Sequence, residues 1–168
     1  MKKLLALVLA LMMLFSVTAF AEEATVLPAE ELFEGVWVQF PDGGFELYMP
    51  ADWYSFDVTE EMMAKGIFFL AGTEDLSYSC TLAWTPFEAE CTIEELYAEI
   101  VANEPEATLN VVNGVGLIVY ADDANNLLNF VALDGIDTGA YLFAFNPPTD
   151  ENFVVLAALI ASTIRNIQ

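Results

Sequence analysis

The chain has 168 residues, with 26 Asp and Glu, four Lys and Arg and no His, for a formal net charge of −22. Such a balance repels nucleic acid, phospholipid headgroups and anionic wall polymers. The lack of His removes Ser-His-Asp and Cys-His nucleophile systems and the commonest metal ligand.

Residues 1–21 read as a secretory signal peptide. Lys2 and Lys3 precede an apolar run of twelve, Leu4 to Phe15, and Ala19-Phe20-Ala21 is a small-x-small cleavage site followed by Glu22. The run is shorter than the ~20 residues of a spanning helix, and no Cys sits at the cleavage site for lipid attachment. The mature chain, from Glu22 to Gln168, is expected outside the cytoplasm with no membrane insertion. Removing 21 residues leaves 147, one domain by length. Only Lys65 and Arg165 then face the 26 carboxylates, a net charge of −24.

Residues 22–34 read as a short tether with a helical turn near Ala29 to Glu34, and residues 35–168 as one domain. Strands at Val36 to Phe40 and Phe45 to Met49 flank Pro41-Asp42-Gly43-Gly44, a turn rich in residues that tolerate positive φ. Thr59 N-caps a short helix that Gly66 ends. Ile67 to Ala71 is a strand. Ser77 to Trp84 is the next, with Tyr78, Cys80, Leu82 and Trp84 on one face. Thr92-Ile93-Glu94-Glu95 is a capping box, and Ile93, Leu96, Tyr97, Ile100 and Val101 recur at helical spacing behind it. Asn113-Gly114 joins Leu109–Val112 to Val115–Ala121 in a hairpin. Leu127–Leu133 and Ala140–Phe145 follow. A last helix starts near Thr149 or Asp150 and carries Phe153, Leu156, Ile160, Ile164 and Ile167 on one stripe, with Arg165 in its final turn against the negative end of the dipole. Tight turns between strands predict an α+β fold, a mainly antiparallel sheet covered by helices.

Few residues point to chemistry. Cys80 and Cys91 are even in number in an exported chain, so a disulfide is permitted; two reduced thiols are the alternative. Asp137-Thr138-Gly139-Ala140 has the D-T-G-A pattern of aspartic proteases. Gly135 and the short remaining chain fit a turn better. Glu88, Glu90 and Asp75 could hold calcium through oxygen, as could Asp122, Asp123, Asn125 and Asn126, although solvated turns explain both sets. Trp37, Trp53 and Trp84 with Tyr48, Tyr54 and Tyr97 make a sugar-stacking platform if exposed; their alternation in strands places Trp37 and Trp84 in the core. No cofactor and no metal is expected.

The order of elements resembles the PsbP-like (Mog-type) α/β/α sandwich, including its small secreted bacterial versions. The landmarks are Met49-Pro50-Ala51-Asp52-Trp53 at a strand end, the Asn113-Gly114 hairpin leading to Val119-Tyr120, and a closing helix with Ser162-Thr163-Ile164. The resemblance spans most of residues 35–168 and implies a mostly non-catalytic accessory or adaptor domain. No binding residue of that family maps onto this chain.

The function expected is therefore that of an exported, acidic, non-enzymatic binding or accessory domain whose partner is a basic protein of the envelope or exterior. The alternatives are a small carboxylate-dependent hydrolase using Asp137, or a module that binds glycans or, weakly, cations.

Overall fold

The computed structural model describes residues 29–134 and 138–167. The signal-peptide segment with Ala21 and Glu22, and Asp137, lie outside them. In chain order the elements are α1 (Ala29–Leu32), β1 (Gly35–Phe40), β2 (Phe45–Pro50), β3 (Tyr54–Ser55), α2 (Glu60–Met63), β4 (Ile67–Gly72), β5 (Ser79–Pro86), α3 (Ile93–Asn103), β6 (Thr108–Val112), β7 (Val115–Asp122), β8 (Leu127–Leu133), β9 (Gly139–Asn146), α4 (Glu151–Ser162) and β10 (Arg165–Asn166).

Seven strands form one antiparallel sheet in the order β3-β4-β5-β9-β8-β7-β6. Its period-2 alternation divides the apolar residues between two cores. Leu82, Leu117, Phe130 and Phe143 face α4 and the inner side of a second sheet, ordered β1-β2-β10. Ile118, Val131 and Ala140 face α3 through Leu96, Ile93 and Ile100. The layers are therefore α4 with the small sheet, the large sheet, and α3.

Local chemistry explains most boundaries. Thr92 Oγ1 accepts from the Glu95 N–H and Glu95 accepts from the Thr92 N–H, so the predicted capping box starts α3. Asp150 caps α4 by accepting from the N–H groups of Asn152 and Phe153. Asn113 and Gly114 have φ of 50° and 80°, as a two-residue hairpin turn requires.

Two sequence expectations are corrected. The last helix ends at Ser162, so Arg165 is not in a helical turn; it sits in β10, where Arg165 pairs with Glu46 and Asn166 with Phe45. Thr163 is the cause: its hydroxyl donates to the Ile160 carbonyl and accepts from the Tyr48 N–H, which ties the helix end to β2. The β1–β2 hairpin also belongs to its own sheet rather than to the main one.

Candidate functional site

The two sheets separate at one end and leave a cleft of ≈ 760 Å³. The turn from Pro41 to Gly44 forms one lip, with Gln39 and Phe40 before it. Phe68, Trp84, Tyr141, Asp134 and Thr138 come from the large sheet. Tyr141 and Trp84 are cross-strand partners on β9 and β5, so their side chains stand together on the face of the α4-side core. Cys80 and Leu82 occupy the same face of β5, as expected, and the helix layer buries both, while Tyr78 falls just before the strand. Trp84 lies beyond that cover and is 37% exposed. Its predicted burial is thus corrected: the face was right, but the layer above ends before it.

Phe68 reaches the cleft through a β-bulge. Ile67 pairs with Ala83 and Phe69 with Leu82, which leaves Phe68 as an extra residue in β4. Two consecutive phenylalanines therefore meet Phe40, with ring centroids 6.0 Å away for Phe68 and 5.1 Å for Phe69. Phe68 remains 42% exposed. Tyr141 is buried and lies 6.0 Å from Phe68 and 4.8 Å from Phe45.

Asp134 places its carboxyl group at the cleft and is 7% exposed. It follows β8, and its N–H donates to the Gly139 carbonyl at 2.9 Å. Its Oδ1 accepts from the Thr138 N–H at 2.9 Å, and its Oδ2 from the Thr138 hydroxyl at 3.2 Å and from Trp84 Nε1 at 3.3 Å. Gly139 lets the indole come this close, since a Cβ there would overlap Trp84 Nε1. Among the described residues the lining contains no lysine or arginine.

A second indole lies on the small sheet. Trp37 Nε1 donates to Glu30 Oε1 at 2.8 Å, and the Arg165 guanidinium sits 3.5 Å above the Trp37 ring centroid. Arg165 Nε also donates to Glu46 Oε1 at 2.6 Å, and Gln39 donates to Glu46 Oε2. Donation by Arg165, then by Gln39, holds the Glu46 carboxyl below its ordinary range. Donation by the Trp37 indole does the same for Glu30.

The other residues singled out in the sequence do not converge. Cys80 lies in the α4-side core and Cys91 against the α3-side core, on opposite faces of the sheet, so the permitted bridge between them is not made. Burial pushes the Cys80 thiol well above its ordinary pKa, which makes it a poor nucleophile. Asp75 and the exposed Glu88 and Glu90 lie beyond opposite ends of β5. Asp122 accepts from the Asn125 N–H and side-chain amide within its own turn. Among the described residues no group of three or more metal-ligating side chains forms.

The six aromatic residues are dispersed. Tyr48 packs under Trp37, Trp53 stacks on Phe153, and the Tyr97 hydroxyl donates to the Ala107 carbonyl on the α3 side. Tyr54 is exposed on the edge strand β3. Only Trp84 contributes to the cleft. Sequence reasoning missed Phe40, Phe68, Tyr141 and Asp134 there. The run Ile67-Phe68-Phe69-Leu70 gave no distinct signal, because a strand covered on both faces is continuously apolar with or without a bulge.

No protein-family model matches the chain, and no curated protein does. Solved structures do match. The solution structure of cyanobacterial PsbP (CyanoP) from Synechocystis sp. PCC 6803 superposes with a TM-score of 0.59 at 11% identity, covering 89% of this chain and 99% of that one. The fold is PsbP-like. A crystal structure of a protein from Bacteroides thetaiotaomicron VPI-5482 superposes with a TM-score of 0.53 at 16% identity. It covers 81% of this chain and 50% of that one, so the present chain spans half of its length. Among the described residues of this PsbP-like chain, no helix is long and apolar enough to cross a membrane.

Proposed function

We propose that this protein is an exported, non-catalytic binding domain of the cell envelope or exterior, and that the cleft between its two sheets is the receptor surface. The observation that carries the reading is the cleft itself: exposed Trp84 and Phe68 beside the buried carboxylate of Asp134. Aromatic walls with a few fixed polar groups are the usual composition of a ligand site. Residues 1–21 supply the route of export, with cleavage between Ala21 and Glu22. The charge of the mature chain favours a basic protein partner and speeds its encounter.

The test is native co-purification of the tagged mature protein from the producing cell's envelope and medium, eluted in a salt gradient. A discrete basic partner released by moderate salt is expected. Recovery of the protein alone at low salt, from both fractions, sinks the reading. A second reading, a glycan-binding module, draws on the exposure of Trp84 and Phe68, since sugars stack on flat aromatic faces. The hydrolase alternative rests on Asp137, which lies outside the described residues.

A further inference from the structure

The molecule contains two tryptophans arranged alike. At each, the indole N–H donates to a carboxylate: Trp37 to Glu30 and Trp84 to Asp134. Donation to an anion makes the indole ring more electron-rich, and an electron-rich ring attracts a cation to its face. At Trp37 the chain supplies that cation itself, with the Arg165 guanidinium 3.5 Å from the ring centroid and bonded to Glu46. At Trp84 the indole is 37% exposed, and among the described residues no lysine or arginine lines its cleft. Both basic residues of the described chain are engaged elsewhere, Arg165 at Trp37 and Lys65 at Glu61.

Building on the reading of the cleft as a receptor surface, we infer that it takes an arginine side chain from the basic protein partner, with the guanidinium on the Trp84 face beside Asp134. Among the described residues the Thr138 N–H and hydroxyl and the Trp84 N–H already donate to the Asp134 oxygens. Little directional hydrogen bonding is left for sugar hydroxyls, whereas the indole face stays open to a cation. Charge recognised through an aromatic face selects a cation rather than a polyol, and guanidinium is the cation that stacks. Phe68 and Phe40 are placed to pack on the methylenes of the incoming side chain.

The test follows the indole N–H resonances of the mature protein during titration at fixed ionic strength. The probe is an end-blocked Gly-Gly-Arg-Gly-Gly peptide. The same peptide with citrulline, which keeps the shape and loses the charge, is the contrast. The expected result is saturable movement of the Trp84 signal by the arginine peptide, at least ~10-fold weaker binding of the citrulline peptide, and, by titration calorimetry because the variant lacks that signal, ~10-fold weaker binding of the arginine peptide by Trp84→Leu. Equal binding of both peptides overturns the inference in favour of an apolar groove. So does movement confined to Trp37 or Trp53. Saturation by tetramethylammonium as tight as by the peptide overturns the assignment to a protein segment, and binding of a neutral oligosaccharide alone gives the site to glycans. Each of these results leaves the co-purification test standing, so failure of the ligand chemistry is separable from failure of the binding-domain reading.

Discussion

Thr163 shows how much one side chain settles in this protein. It is 4% exposed, and its hydroxyl both closes α4 and takes the Tyr48 N–H at 2.9 Å. Thr163→Val keeps the volume and strands that N–H away from water. The expected cost is about 1–3 kcal/mol, read as a lower midpoint in denaturant unfolding; an unchanged midpoint would mean that β2 finds another acceptor. Asp75 is the corresponding case for pH. The Ser77 N–H, then the Ser77 and Thr73 side chains, hold its pKa at about 2 against an ordinary 3.8. A depressed carboxylate contributes stability above its unfolded pKa and loses it as pH falls through the folded one. The melting-temperature gap between the native protein and Asp75→Asn is therefore expected to be constant above about pH 4 and to shrink towards pH 2. A gap that grows on acidification contradicts this assignment.

At the scale of elements, α3 matters because it covers one face of the large sheet, through Leu96 and its neighbours. Its start depends on the reciprocal bonds between Thr92 and Glu95. Thr92→Ala is expected to cost about 1 kcal/mol, measured by chemical denaturation; if stability holds, the apolar face is sufficient to nucleate the helix. These local devices were legible because each is written within four residues: the capping box, the Asn113-Gly114 turn, and the Pro41–Gly44 turn whose Gly44 has φ of 67°. The end of α4 was not legible. Ile164 and Ile167 continue a helical stripe in the sequence, but Thr163 and the hydrogen-bonding edge of β2 divert the chain into β10, where the Ile167 N–H donates to Gly44.

Across the whole molecule, excess carboxylate charge opposes compaction. Added sodium chloride at about 0.15 M shortens the screening length to about 8 Å and is expected to raise the melting temperature. Calcium and magnesium at matched ionic strength should raise it equally, because the described carboxylates form no ligand cluster. A shift with calcium beyond that with magnesium would instead point to a specific site. The same charge gives the proposed arginine contact its salt dependence.

The sequence by itself determined the α+β class, the position of most strands and turns, both main helices, and the face that Cys80, Leu82 and Trp84 share. These follow from periodicity and from chemistry local to a few residues. Only the tertiary structure decided that the first hairpin forms a second sheet with β10, that Cys80 and Cys91 occupy opposite cores, and that Trp84 stands at an open cleft with Phe68, Tyr141 and Asp134. In each case packing between distant elements decides what local pattern does not. Alternation assigns a residue to a face, but exposure depends on where the covering layer stops, and that edge is set by contacts between residues more than a hundred positions apart, such as Tyr48 with Thr163 and Glu46 with Arg165.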